Sequence, residues 1–282
     1  MCGADRENKL GYCHTPWDFK IARAGLHFWE EPPISGKNGS GTVFFSGCNL
    51  GCVYCQNYDI SHGDVGKTVS EERLLEIFAE LKDKGAHNIN LVNPTHYAER
   101  LAAILPKFGK QLPVVYNSSG YERVETLKKL EGMVDIYLPD LKYIRHDKSY
   151  NYSAAEDYFE FASKALIEMK NQHSENICDE DGIMKSGIIV RHLILPKNTN
   201  QSIDILSWIY NNLGADTSIS LMAQYTPYGK IENYPELQRK ITQREYDKVL
   251  DYALGLGFKN IFTQDPSSSS EKFIPDFDLT GV

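Results

Sequence analysis

The chain has 282 residues, of which 41% are hydrophobic and 24% are charged, a composition typical of a soluble globular protein with room for one or two α/β domains. Its net charge of −8 argues against a broad nucleic-acid-binding surface, because such surfaces depend on clustered Lys and Arg. No apolar run approaches the roughly 18 residues of a membrane span, and the N-terminus does not resemble a secretory signal. We therefore expect a cytoplasmic protein whose cysteines serve a metal or catalysis rather than disulfides.

Short apolar runs alternate with amphipathic helical patterns through most of the chain. The predicted strands are 42–46, 89–92, 113–116, 134–138, 188–195, 218–222 and 258–262. The predicted helices are 71–84, 96–108, 122–130, 153–170, 201–212 and 244–256. Strands separated by helices of about ten or more residues imply parallel pairing with right-handed crossovers. The sequence therefore predicts an α/β fold, a partial (β/α)6 barrel similar to a TIM barrel.

The barrel pattern does not extend to either end of the chain. We predict an N-terminal extension over residues 1–39, the barrel over residues 40–265 and an irregular C-terminal tail over residues 266–282. In barrels of this kind the working residues lie on the loops that follow the carboxyl ends of the strands. Candidate site residues are therefore sought directly after each predicted strand.

Three cysteines follow the first predicted strand, in the segment Ser46–Cys55 (SGCNLGCVYC). Their spacing would place Cys48, Cys52 and Cys55 on one face of a helix, and free cysteine is commonly buried as a small hydrophobe. The segment also contains two glycines and an asparagine, however, and this composition favours a loop. Three thiols on one loop indicate an iron–sulfur cluster or a zinc site.

This Cys-x3-Cys-x2-Cys spacing, with the aromatic Tyr54 before the third cysteine, resembles the signature of the radical SAM superfamily. The resemblance covers residues 40–265 and implies that Cys48, Cys52 and Cys55 hold a 4Fe–4S cluster. Such a cluster normally takes four thiolates, so three leave one iron open. In the family that iron binds the methionine part of S-adenosylmethionine (SAM). An electron from the cluster then cleaves SAM to methionine and a 5′-deoxyadenosyl radical, which abstracts hydrogen from a substrate.

The resemblance also suggests which residues contact SAM. Besides Tyr54, Asn93 and Thr95 follow the second predicted strand, where the family often carries glycines that are absent here. A helix N-cap is the alternative role for Thr95. Ser118 follows the third strand in Tyr116–Gly120, a partial match to a motif of the activating enzymes of glycyl radical enzymes. An ordinary polar turn is the alternative there.

Three charged residues complete the predicted SAM contacts. Asp140 and Lys142 follow the fourth strand and resemble an activating-enzyme Asp-x-Lys motif, with a surface ion pair as the alternative. Arg191 lies within the fifth strand, where a buried charge requires a partner. We expect Arg191 to reach either the SAM carboxylate or Asp140, and a purely structural ion pair is the alternative. Its neighbour His192 should point the opposite way, as a packing histidine. No residue is assigned a catalytic role of its own.

For several further candidate site residues, a purely structural role is as good an explanation as a functional one. The residues after the last two strands could form an adenine or substrate wall, or plain core; they are Met222, Gln224, Tyr225, Tyr228, Gln264 and Asp265. Cys178 could be a hydrogen donor or substrate thiol, but an incidental surface cysteine is the simpler interpretation.

Cys2 and Cys13, together with Trp29–Pro32 and Asn93–His96, resemble a subgroup of radical SAM proteins described as pyruvate formate-lyase activating enzyme-like. In that subgroup a further Cys-x2-Cys usually precedes the position of Cys2. Two thiols alone cannot complete a zinc site, so we expect no metal on Cys2 and Cys13. A metal completed by other ligands and a disulfide are the alternatives.

Three functions are compatible with these features. The first is a SAM-cleaving oxidoreductase that resembles glycyl-radical activases and receives its electron from a donor such as flavodoxin or ferredoxin. The second keeps this chemistry but modifies another protein, a peptide or a small metabolite. The third is a non-catalytic iron–sulfur or zinc protein, which predicts four protein ligands and no cleavage of SAM.

Overall fold

A mixed β-sheet forms the centre of the protein in this computed structural model, which describes residues 4–264 and 275–282. The strands are β1 (Phe19–His27), β2 (Ser40–Phe45), β3 (Lys67–Val69), β4 (Ile89–Val92), β5 (Val114–Ser118), β6 (Ile136–Pro139), β7 (Ile177–Cys178), β8 (Met184–Leu193), β9 (Ser218–Met222) and β10 (Ile261–Thr263). The helices are α1 (Pro32–Ser35), α2 (Tyr58–Ser61), α3 (Glu71–Asp83), α4 (Ala98–Phe108), α5 (Val124–Lys129), α6 (His146–Ser153), α7 (Tyr158–Gln172), α8 (Thr199–Leu213) and α9 (Gln243–Leu256).

The strand order is β10-β9-β8-β6-β5-β4-β2-β1-β3, with β7 beside β8. Every neighbouring pair from β2 to β10 along this order is parallel. Strand β1 runs antiparallel to both β2 and β3. The sheet is open, because β10 and β3 form its two edges without pairing to each other. The predicted α/β fold, a partial barrel of parallel strands, is confirmed.

The longer helices α3, α4, α7, α8 and α9 each bury one apolar stripe. Helix α3, for example, buries Leu74, Ile77, Phe78 and Leu81, and burying such a side chain contributes about 1.5–3 kcal/mol. The side chain of Ser70 caps this helix by accepting a hydrogen bond from the backbone of Arg73. No helix in the part of the chain that the structure describes is long and apolar enough to cross a membrane.

The predicted elements differ from the observed ones mainly at one long helix. The sequence predicts a helix over 153–170, but the structure has α6 and α7 in this region. The chain turns at Ala154, which adopts a left-handed conformation with φ 49°. Alanine is a strong helix former and gives no local signal for such a turn. The segment between this predicted helix and the fifth predicted strand contains the short strand β7, which pairs antiparallel with β8.

The N-terminal extension is less separate from the barrel than predicted. Residues 19–27 form β1, which extends the sheet beyond β2. The connection from β1 to β2 then places α1 inside the barrel, where Ile34 packs with Val115 and Ile189. The tail also contacts β1: the backbone N–H of Leu279 donates to Ala22 at 3.1 Å. The interior of the barrel is therefore closed on one side by residues from its own N-terminal segment.

Candidate active site

A cavity opens at the carboxyl ends of the parallel strands, where the predicted site residues come together. Of the predicted set, those lining it are Cys48, Cys52, Tyr54, Cys55, Asn93, Ser118, Asp140, Lys142 and Arg191. These residues come from the loop after β2 and from the ends of β4, β5, β6 and β8. Thr95 is the one member of the predicted set outside this lining. The carboxyl ends of parallel strands meet at one edge of a sheet, which explains why residues so distant in sequence share a cavity.

The three cysteines lie on an irregular loop rather than on a helix. Gly47 and Gly51 have φ values of 79° and 70°, a left-handed conformation that ends regular structure. The thiols already have partners in the protein. Leu50 donates its backbone N–H to Cys48 Sγ at 3.3 Å, and Ser153 Oγ donates to Cys52 Sγ at 3.0 Å.

The donor set fits a sulfur-ligated cluster. Burial raises the pKa of Cys52, and burial together with the neighbouring cysteines raises the pKa of Cys55 to about 12. The charge of Lys142 opposes both shifts. Among residues 4–264 and 275–282, no three His, Cys, Asp or Glu side chains already surround a metal position. Cys52 and Cys55 are therefore protonated without metal, and cluster binding would deprotonate them and draw the three sulfurs together, as in other thiolate sites.

The first prediction concerns the glycine before the first cysteine. A Cβ atom at Gly47 would lie 2.2 Å from the carbonyl oxygen of Cys13, and the positive φ adds backbone strain. Gly47→Ala is expected to lower the free energy of unfolding by more than about 2 kcal/mol and to reduce iron uptake. Gly85→Ala is the matched control, because Gly85 has φ +85° with nothing within 4 Å. If urea denaturation showed the same decrease in the free energy of unfolding for both variants, the proposed steric contact would be contradicted.

The charged residues of the cavity form one buried network. Asp140 accepts from Lys142 Nζ at 2.5 Å and from Arg191 Nε at 3.0 Å, which confirms one of the two partners predicted for Arg191. A second nitrogen of Arg191 donates to Asn117 Oδ1 at 2.6 Å. Burial alone would raise the pKa of Asp140, but the adjacent Lys142 and Arg191 charges outweigh it and hold this pKa below its usual value. Asp140 is therefore ionised at neutral pH and orients both cations.

The sequence interpretation missed the fourth charged member of the network, Glu30. Its carboxylate accepts from Arg191 at 3.2 Å, from Asn117 at 3.2 Å and from Asn90 at 3.0 Å. The neighbouring Glu31 is also buried, and burial raises its pKa. Both belong to the segment Trp29–Pro32, which was noticed only as part of a family resemblance. Two consecutive carboxylates before a helix are common on surfaces, so nothing local assigns them to the interior.

Two of the predicted SAM contacts hold neighbouring loops in place. Asn93 donates its side-chain amide to the carbonyl of Gly47, so it joins the end of β4 to the cysteine loop. Thr95 begins a 3-10 turn, makes no N-cap hydrogen bond and donates to Glu122 Oε1 at 2.5 Å. Ser118 accepts from the backbone of Gly120 at 3.2 Å, as in a polar turn. Direct contact of these side chains with SAM remains a prediction.

The second prediction follows from the burial of Glu122, which is 1% exposed. Burial raises its pKa from 4.5 to about 7. Because the pKa of Glu122 is higher in the folded protein, its protonation stabilises the fold. This contribution is complete below pH 4.5 and is lost as the pH rises through about 7. Relative to Glu122→Gln, the wild type should therefore lose about 3 kcal/mol of unfolding free energy between pH 4 and pH 8. Urea unfolding at both pH values measures this, and a pH-independent difference would refute it.

His192 points away from the cavity, as predicted. Its Nδ1 donates to the carbonyl of Leu141 at 2.8 Å, and its Nε2 accepts from Ser202 Oγ at 2.8 Å. Burial lowers the pKa of this imidazole to about 4. It is a neutral packing histidine that ties β8 to α8.

The remaining candidates divide between wall and core. Met222 and Gln224 line the cavity, Tyr225 is fully buried, and Tyr228 donates to Asp59 at 3.2 Å. Gln264 accepts from the backbone of Ala223 at 3.0 Å.

The other cysteines lie apart from the triplet. Cys13 is buried and contacts Thr15 Oγ1 at 3.2 Å, whereas Cys178 is exposed on β7. Cys2 and Asp265 lie outside the described residues.

Comparison with known proteins relates the part of the chain that holds the cysteine loop to a described family. Residues 42–179, just under half of the chain, match the family model described as the radical SAM superfamily. The matched region contains the cysteine loop together with Asn93, Ser118, Asp140 and Lys142. The family uses a 4Fe–4S cluster and SAM, so the cofactor prediction is confirmed at the level of the family. The matched region stops before Arg191.

The chain is also similar to an uncharacterised protein of Methanocaldococcus jannaschii, MJ0674, at 29% identity over 89% of this chain and 72% of the relative. Among solved structures, Streptococcus suis SuiB bound to the precursor peptide SuiA has a TM-score of 0.55 at 13% identity, over 77% of this chain and 46% of SuiB. Methylornithine synthase (PylB) has a TM-score of 0.51 at 16% identity, over 77% of this chain and 68% of PylB. The chain thus spans about half the length of SuiB, and at these identities the likeness concerns the fold.

Proposed function

We propose that this protein is a radical SAM enzyme that holds a 4Fe–4S cluster on Cys48, Cys52 and Cys55 and binds SAM beside it. One observation carries the proposal: the three cysteines and the polar residues from four further strand ends line a single cavity. Three thiolates leave one iron of such a cluster without a protein ligand, and an open position is what a catalytic metal centre requires.

Different residues of the chain have different roles in binding the cluster and SAM. When bound, the cluster supplies the electron that splits SAM into methionine and a 5′-deoxyadenosyl radical. Lys142 and Arg191 provide positive charge near the place of an amino-acid carboxylate, and Asp140 keeps both cations in position. Tyr54 and Cys52 are buried at 4% and 7% exposure. Their burial would shield the Cys52 sulfur from water, as is expected of a site that handles reactive intermediates.

We place the catalytic unit in residues 40–265 and assign supporting roles to residues 1–39 and to the tail 266–282. The substrate we propose is a protein glycine, as for the glycyl-radical activases that the sequence resembles. Modification of another peptide or of a small metabolite is the alternative, since fold kinship alone does not select a substrate. An electron donor such as flavodoxin or ferredoxin, in a reducing cytoplasm, fits free cysteines and an oxygen-sensitive cluster.

Anaerobic turnover tests this proposal. The reconstituted protein, reduced and supplied with SAM, is expected to release 5′-deoxyadenosine and methionine, which chromatography quantifies. Addition of a peptide with α-deuterated glycine should place deuterium in the 5′-deoxyadenosine if the activase assignment is correct. Product without deuterium would favour a different substrate. A reduced, cluster-loaded protein that leaves SAM intact would refute the enzyme assignment itself.

A further inference from the structure

A chain of three buried hydroxyl side chains leads from the cavity wall to one of the cysteines. Ser153 Oγ donates to Cys52 Sγ at 3.0 Å. Tyr143 and Ser153 hydroxyl oxygens lie 2.7 Å apart, and so do those of Tyr143 and Tyr54. All four residues are between 0% and 7% exposed. We call the three hydroxyls of Ser153, Tyr143 and Tyr54 the hydroxyl relay.

Proton counting fixes the direction of the hydroxyl relay. Each hydroxyl carries one proton. Because Ser153 gives its proton to the sulfur, its oxygen must accept from Tyr143, and the oxygen of Tyr143 must then accept from Tyr54. Every O–H therefore points towards Cys52, and hydrogen bonds aligned in this way polarise one another.

The backbone holds the hydroxyl relay against the cysteine loop. Ser153 is the last residue of α6, and the left-handed turn at Ala154 ends that helix. The preceding carbonyl, of Tyr152, accepts from the backbone N–H of Val53 at 2.9 Å. Two consecutive residues of α6 thus bond to two consecutive residues of the cysteine loop. This double attachment positions the serine hydroxyl relative to the sulfur independently of any cofactor.

We propose that the hydroxyl relay raises the reduction potential of the cluster held by Cys52, with Ser153 as a positioning residue rather than a catalytic one. The proposal rests on the cluster assignment made above. A one-electron reduction adds a negative charge that is shared by the thiolate sulfurs. Hydrogen bonds to those sulfurs stabilise the reduced form more than the oxidised form and are a known determinant of cluster potentials. The effect is strengthened by the low local dielectric of a buried site.

The relay makes a graded prediction for three variants. Ser153→Ala removes the donor to sulfur and should give the largest shift of the midpoint potential, towards more negative values. Tyr143→Phe keeps that donor but removes its polarisation, so its shift should be smaller, and that of Tyr54→Phe smaller again. Ser153→Thr retains a hydroxyl and should restore most of the wild-type potential. Ser149 is the matched control: it is a buried serine on the same helix, and it donates to the carbonyl of His146 at 3.1 Å.

The experiment is an anaerobic titration of the reconstituted protein with dithionite in the absence of SAM, followed by electron paramagnetic resonance of the reduced cluster. Ser149→Ala is expected to have the midpoint potential of the wild type. The potential should then become more negative from Tyr54→Phe to Tyr143→Phe to Ser153→Ala. Tyr143→Phe keeps the test decisive if Ser153→Ala does not fold. Unchanged potentials in Ser153→Ala and Tyr143→Phe would overturn the relay while leaving the enzyme assignment intact. A wild-type protein that takes up no cluster would instead overturn the cluster assignment.

Discussion

Replacing Cys52 by alanine is expected to reduce the cleavage of SAM to the level of a protein-free control. Cys52 is the most deeply buried of the three predicted ligands, at 7% exposure, and a cluster with two protein thiolates lacks the ligand set that the family uses. The barrel itself should remain folded, since the loss of one buried thiol costs only about 1 kcal/mol or little more. Iron content, the visible absorption of the cluster and 5′-deoxyadenosine production measure the effect.

The matched control for this variant is Cys178→Ala. Cys178 is exposed on the β7 hairpin and lies outside the lining of the cavity, so its removal should leave iron content and product formation unchanged. If Cys52→Ala retained its cluster and full turnover, the ligand assignment would be wrong. If Cys178→Ala lost activity to the same extent, the effect would not be specific to the triplet.

Replacing Arg191 by leucine is expected to cost about 3–5 kcal/mol of unfolding free energy in the metal-free protein. The Arg191 side chain is 14% exposed and bridges Asp140 and Glu30, which are 13% and 11% exposed. Removing one partner of a largely buried network leaves an uncompensated charge, and this penalty exceeds the free energy that the pair itself contributes. Urea denaturation at neutral pH measures the loss.

Two further variants separate this explanation from a general loss of packing. In Arg191→Leu, Asp140 keeps its pair with Lys142, whereas Glu30 loses its cation. The double variant Arg191→Leu, Glu30→Gln removes this stranded charge and should recover part of the loss, since coupled residues are not additive. Arg73→Ala breaks a surface pair with Glu80, which is 44% exposed, and should cost less than about 1 kcal/mol. A double variant no more stable than Arg191→Leu alone would rule out stranded charge as the cause.

Local patterns predicted much of the fold because they depend on residues close together in sequence. Strands β4 and β9 fall on the predicted residues, and α3 and α9 lie within one residue of the prediction. The patterns did not predict β1, a strand in which the polar Lys20, Arg23 and His27 interrupt the apolar residues and whose neighbours β2 and β3 lie further along the chain. They also placed one helix across the turn at Ala154, where only the fold imposes a left-handed alanine.

The candidate site shows the same division between local and long-range information. Cys48, Cys52, Asp140 and Lys142 were found because each follows a predicted strand, and the carboxyl ends of parallel strands converge. Glu30 reaches the site across 161 positions of sequence, through a hydrogen bond with Arg191. The hydroxyl relay likewise joins residues 101 positions apart, from Cys52 to Ser153. Such contacts follow from the packing of α1 and α6 on the barrel, which no local pattern encodes.

The most direct test of the account is the spectrum of the reduced cluster before and after SAM is added to the reconstituted protein. If three cysteines leave one iron open, SAM labelled with ¹⁷O or ¹⁵N in its methionine part should bind there. Electron–nuclear double resonance should then detect coupling between the label and the cluster, along with altered g-values. If the spectrum of the reduced cluster were the same with and without a large excess of labelled SAM, the open iron would be contradicted, and with it the proposed chemistry.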